Sequence, residues 1–252
     1  MVPPRTATAR EKATLEGATA AAPPSAAGPA PDDSLESRAR EALVEWLTKE
    51  HPAPGQPVPV REFARRLGMS RTPVRSAVGR LYERGLLAYD ATAGFTVAIP
   101  SLSSLYELFE LRLMLESHAL RLFAERTDRE PPARLRELVD EAQELARLSL
   151  EDHAHYIGFR ENDSRFHRAL VELGGLPRLL ALHDDLHLSI HVTRTGMEAP
   201  ITASRLNAAV AEHRAVVDAL ESGDRLGARD LLETHILRVR DQTIAFLARP
   251  RM

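Results

Sequence analysis

Ten histidines and no cysteine stand in a chain of 252 residues, so any transition-metal chemistry here runs through imidazole and carboxylate. Eight of the histidines fall after position 150: His153, His155, His167, His183, His187, His191, His213 and His235. The stretch ENDSRFHRAL sets Asp163 and His167 four residues apart. On a helix that spacing lets a carboxylate and an imidazole reach one ion. Phe166 and Leu170 beside them direct this face toward a bundle interior. His213 in AEHRAVVDAL and His235 in LLETHILRVR lie on two helical stretches joined by a tight SGD turn. Antiparallel neighbours of that kind bring both imidazoles to a similar height. A second group, His183, His187 and His191, forms a stripe at i, i+4, i+8 and lines a pocket or makes a partly exposed polar face. Spacing alone does not choose between ligation and ordinary hydrogen bonding for either group.

A different chemistry resides in SRTPVRSAVGRL, from Ser70 to Leu81. With Ser70 as cap and Pro73 in the first turn, Val74, Ala77, Val78 and Leu81 share one apolar helix face. Arg71 and Arg75 lie together on another, with Thr72 and Ser76 nearby. Guanidinium groups suit bidentate contacts with guanine edges and phosphates, and hydroxyls reach phosphate oxygens. Between Arg61 and Arg84 there are seven arginines and two glutamates, a net of +5, whereas residues 99–252 sum to about −5. The overall charge of −3 therefore conceals a basic module joined to an acidic one, as expected where only the first meets DNA.

The elements that must position these groups follow from periodicity and breakers. Residues 1–33, rich in Ala, Pro and Thr, read as a disordered tail. Asp33-Ser34 is a plausible cap for SLESRAREALVEWLTKE, whose Leu35, Ala39, Ala42, Leu43, Trp46 and Leu47 make one apolar face, and HPAPGQPVP stops it. Two short helical patterns, VREFARRLG and SRTPVRSAVGRLYERG, meet at Gly68-Met69, and LLAYDATAGFTVAI reads as two short strands around a turn. Helix, helix, turn, helix, hairpin is the order of a winged helix-turn-helix over 34–99. From 100 to 252 long amphipathic segments predict an all-helical bundle, with six helices at roughly 101–127, 130–150, 152–173, 176–195, 202–222 and 224–248. The fold class is mainly α: an N-terminal winged helix-turn-helix, then a helical bundle. The absence of Cys excludes disulfides and thiolate sites. No apolar run approaches the roughly 20 residues that span a bilayer, and no continuous signal core is present. These features lead to the expectation of a soluble cytoplasmic protein.

The stretch REFARRLGMSRTPVRSAVGRLYERGLLAYDATAGFTV resembles the DNA-binding domain of GntR-family bacterial transcription regulators, with nearly forty residues matching without a gap. The resemblance places DNA contacts on Arg61, Ser70, Arg71, Thr72 and Arg75, with Gly94 in the wing. Ser76 stands where the family usually has Glu, Gly79 sits mid-helix, and the wing DATAGF lacks a basic residue. DSRFH, EHRAVVDALESGD and ETHILRV resemble, in order, three pieces of the helical FCD effector domain of the FadR branch, in its six-helix, VanR-like type. That likeness implies a divalent transition metal (Zn, Ni, Mn or Fe) held by Asp163, His167, His213 and His235, beside a pocket for a small carboxylate effector. YELFELRLMLESHALRLFAE resembles the first effector-domain helix, in which Arg112 would face the effector or be held by Glu116 four residues on. Arg194 and Asn207 are further effector-pocket candidates, chosen for polarity. The implied function is a ligand-responsive regulator that binds double-stranded operator DNA as a homodimer, with no membrane association. A metal sensor is the alternative. A metalloenzyme is the weaker one, since no separate general base, nucleophile or phosphate-binding loop is recognisable.

Overall fold

The computed structural model describes residues 35–99, 101–126, 130–195 and 202–248; the side chains of His153 and of residues 191–195 also fall outside the description. The tail 1–33, the Asp33-Ser34 cap and the Gly196–Pro200 break therefore lie outside the described residues, as do the side chains of His191 and Arg194. The N-terminal half opens with α1 (Leu35–Glu45), which runs into a π-helical turn at Trp46–Glu50. There the Thr48 hydroxyl donates to Val44 O at 2.9 Å, a back-bond that competes with regular helix bonding. His51, at φ 50°, ends the segment. α2 (Val60–Arg66) and α3 (Arg71–Glu83) follow, turned at Gly68, whose φ of 63° favours a residue without Cβ.

The apolar face read from α3 is buried as expected. Val74, Ala77, Val78 and Leu81 join Leu43, Leu47, Phe63 and Val97 in one core, where Trp46 meets Phe63 edge to face at 5.8 Å. At about 1.5–3 kcal/mol for each fully buried aliphatic side chain, this core is what holds α3 in place. Strands β1 (Leu87–Asp90) and β2 (Gly94–Val97) pair antiparallel from Leu87↔Val97 to Asp90↔Gly94. The turn between them is an Asx type, with Asp90 Oδ1 accepting from Thr92 N at 2.8 Å and Ala93 N at 2.7 Å.

Six helices form the second half among the described residues: α4 (Leu102–Ala124), α5 (Arg134–Leu148), α6 (His153–Leu173), α7 (Pro177–Thr195), α8 (Ala203–Glu221) and α9 (Arg225–Leu247). Ser101, Asp152, Thr202 and Asp224 each cap a helix by accepting a backbone N–H with the side chain. Leu105, Phe109, Phe123, Leu138, Phe166, Leu170, Val217, Leu232 and Ile236 belong to one continuous bundle core. α7 also reaches the winged half: Leu188 packs on its core, and Asp185 Oδ1 pairs with Arg84 Nη1 at 3.0 Å. No helix among the described residues is long and apolar enough to cross a membrane.

Candidate functional site

Along the buried face of α4 the apolar sequence Leu105, Phe109, Ala119, Leu120, Phe123 is interrupted by Arg112 and Glu116, 1% and 0% exposed. Arg112 Nε donates to Glu116 Oε1 at 2.8 Å. An ion pair so deep recovers little of the desolvation of its two charges, and apolar replacements are often equally stable. Stability therefore does not account for it, and its surroundings do. Glu116 Oε2 lies 2.7 Å from His167 Nδ1, and Glu116 Oε1 lies 3.3 Å from His183 Nε2. With Nδ1 donating its proton to Glu116, His167 turns Nε2 inward, and this buried atom has no hydrogen-bond partner.

His235 is arranged in the same way. Its Nδ1 lies 2.6 Å from Glu212 Oε2, and that carboxylate is held in turn by Arg238. Its Nε2 faces His213 Nε2 at 3.2 Å, while the His213 ring stacks on Phe166 at 4.1 Å. Asp163 Oδ1 completes the group, 3.7 Å from His167 Nε2 and 3.6 Å from His213 Nε2. One ligand atom from each of Asp163, His167, His213 and His235 lies within 4.8 Å of all the others. Donors at these separations suit one cation about 2.0–2.2 Å from each. A carboxylate on the far nitrogen of two of the imidazoles is the arrangement that orients metal-ligating histidines. The residues present thus fit a divalent transition metal.

Electrostatics separate the three imidazoles. Burial brings His235 down to about 4, and burial with the charges of His235 and His167 holds His213 well below the ordinary histidine value. Both imidazoles are thus neutral at neutral pH, the form in which they could hold a metal. Burial and Arg112 oppose charge on His167, yet Glu116 and Asp163 on its two sides prevail and raise it. Burial would raise the Glu116 carboxyl, but His167 and Arg112 outweigh it and carry the group well below the usual range.

A narrow cavity of about 50 Å³ opens beside this centre, lined by Arg112, Asp163, Arg205, His235, Arg238 and Gln242 among others. Arg112 Nη2 is buried without a hydrogen-bond partner among the described residues. Asn207 is not among the residues that line this cavity. Thr202, Arg205, Leu206 and Ala209 form the α8 wall at helical spacing, which turns Asn207 off that face and leaves it exposed. The Arg194 side chain lies outside the described residues. Of the second histidine group, His183 and His187 line a separate cavity. Glu212 and Arg238 went unassigned in the sequence, although the EHR motif contains Glu212; no local pattern announces a contact 23 residues away.

The DNA-reading candidates lie in the other half. Arg61, Ser70, Arg71, Thr72 and Arg75 are all exposed. Arg66 pairs with Glu50, Arg80 with Glu36 and Glu83, and Arg84 with Asp185. Arg61, Arg71 and Arg75 have no acidic partner among the described residues. Ser70 occupies the N-cap position of α3 with extended backbone but makes no side-chain cap bond. Ser76 donates to Glu36 Oε2 at 2.6 Å and ties α3 to α1. Gly94 sits at φ 78° and closes the wing.

A winged helix-turn-helix with an unpaired arginine face, followed by a helical bundle with a buried imidazole–carboxylate centre, defines a class of bacterial DNA-binding regulators. The description "Bacterial regulatory proteins, gntR family" matches residues 35–97, and the FCD domain matches residues 107–238. The chain belongs to the GntR family of bacterial regulatory proteins, with an FCD domain, and is a transcriptional regulator. It is 28% identical over 221 residues to the HTH-type transcriptional repressor NanR of Cronobacter sakazakii, covering 80% of this chain and 82% of that one. It is 34% identical over 121 residues to the Nta operon transcriptional regulator of Aminobacter aminovorans, covering 45% of this chain and 58% of that protein. The fold is shared with a GntR transcriptional regulator from Rhodococcus sp. RHA1, at TM-score 0.71 and 24% identity over 86% of this chain and 99% of that one. It is shared also with E. coli McbR/YncC, at TM-score 0.65 and 24% identity over 83% and 98%.

Proposed function

We propose that the chain binds a palindromic operator as a homodimer and releases or rearranges it in response to a small carboxylate held beside a bound divalent metal. In this reading residues 34–99 read DNA and residues 100–252 bind the effector and dimerise. The observation that carries it is the buried Asp163, His167, His213 and His235 group beside Arg112, whose Nη2 lacks a partner at the cavity wall. A carboxylate would satisfy that guanidinium, and the metal would supply a Lewis-acidic site for the same ligand. Zn, Ni, Mn and Fe all suit three imidazoles and one carboxylate.

Arg71 and Arg75 would enter the major groove from the start of α3, with Arg61, Ser70 and Thr72 on phosphates and Gly94 bringing the wing backbone close. The exposed Leu111 and Met114, three residues apart on one side of α4, support a dimer, since neighbouring apolar side chains on a surface mark association sites. A gel shift with a duplex selected by the wild-type protein from a random library tests the reading. Arg75→Ala loses that duplex while keeping subunit count and metal. Normal retention of the duplex at moderate salt would remove the recognition-helix assignment.

A further inference from the structure

His183 and His187 of the α7 stripe are not among the four clustered donors, yet His183 is tied to them through Glu116. His183 is 1% exposed. Its Nε2 lies 3.3 Å from Glu116 Oε1, an oxygen that already accepts from Arg112. The His183 ring therefore donates there, which leaves Nδ1 as an acceptor. That atom is buried and has no hydrogen-bond partner among the described residues, and the same is true of His187 Nε2. The nearest carboxylate oxygen to His183 Nδ1, Asp184 Oδ1 at 3.9 Å, already accepts from Arg168 at 3.0 Å. A buried polar atom left without a partner is costly, so two at one place favour an occupant.

Both rings face a cavity of about 290 Å³, several times the space beside the metal centre. Its walls come from both halves: Thr48 of the π-helical turn on one side, and on the other His183, His187 and Leu188 at its floor with the charged Glu161, Arg165, Arg168 and Asp184 around them. The two imidazole rings stand 5.4 Å apart at 46° and, with Leu188, offer apolar surface around a hydrogen-bond acceptor. The arrangement suits a small aromatic ring carrying a hydroxyl donor.

We propose that this cavity is a second regulatory site, for a small hydroxylated aromatic molecule that bridges the DNA-reading half and the bundle. The inference rests on the chain acting as an operator-binding regulator. The occupant touches Thr48 and Leu188, so it biases the placement of the winged half. It also satisfies His183, whose other nitrogen reaches the carboxylate that orients His167, and any effect of the occupant on metal affinity is matched by an equal effect of metal on the occupant.

Phenol and toluene are the probes, used with the full-length, metal-loaded protein. Saturation-transfer NMR is expected to show phenol bound at least tenfold more tightly than toluene, which lacks the donor. His187→Phe keeps a ring but removes Nε2, and Thr48→Trp fills the cavity from the winged side. Each is expected to weaken phenol binding at least tenfold while metal content and phenol-free operator binding stay at wild-type levels. Saturating phenol is expected to shift wild-type operator affinity about fivefold or more by fluorescence anisotropy, and to leave His187→Phe unmoved. The proposal is overturned by no phenol binding, by equal binding to the variants, or by binding that leaves operator affinity unchanged. Absence of phenol-free operator binding by the wild-type protein would count instead against the regulator reading beneath it.

Discussion

The two candidate sites use charge in opposite ways. On α2 and α3, Arg61, Arg65, Arg71 and Arg75 are exposed and meet no acid among the described residues, while Arg66, Arg80 and Arg84 are paired. At the bundle centre the charges are wholly or partly buried and linked in a chain: Arg112 to Glu116, Glu116 to His167, His235 to Glu212, Glu212 to Arg238. Exposed positive charge is inexpensive to maintain and strongly screened by salt, which suits a partner that arrives with its own counterions. Buried charge is held in one arrangement and is insensitive to salt, which suits selection of one small ion or ligand. The difference supports the proposal that the first surface meets a polyanion and the second cavity a metal.

That contrast can be broken from either end. The largest expected effect is His213→Ala, which removes a metal donor and lowers metal affinity by more than about 100-fold, beyond what loss of an outer partner does. Elemental analysis of the purified variant checks this, and basal operator binding is expected to persist. Next, Arg75→Ala is expected to cost about 1–3 kcal/mol of operator affinity, with metal content unchanged; anisotropy titrations across a salt series measure it. Glu212→Gln leaves the four donors in place but weakens the hold on His235, and competition with a chromophoric chelator is expected to show roughly tenfold to 100-fold weaker metal binding. The smallest effect concerns neither site. Gly79 lies within α3, and a Cβ there would meet nothing within 4 Å. Gly79→Ala is therefore expected to stabilise the protein by about 0.5–1 kcal/mol in urea melts.

Much of the architecture was legible because it is local. Apolar spacing gave α3 its buried face, and Pro131-Pro132 and Gly174-Gly175 fall between helices as expected. Asp163 and His167 were legible for the same reason, being four residues apart. What local pattern could not show was tertiary. The Glu116–His167 contact spans 51 residues, so Glu116 read only as a partner for Arg112. Asn207 was chosen for polarity, which says nothing of the direction a helix face turns. Ser70 reads as a cap, yet its hydroxyl makes no cap bond. Ser76, where the family usually has Glu, meets Glu36 from α1 instead.

Native mass spectrometry of the full-length protein tests the central claim most directly, because it reports subunit count and bound metal together. The account predicts a dimer carrying one divalent metal ion per chain, and a His213→Ala dimer without it. A wild-type protein that takes up no metal when offered Zn, Ni, Mn or Fe, or a His213→Ala variant that keeps a full complement, would contradict it.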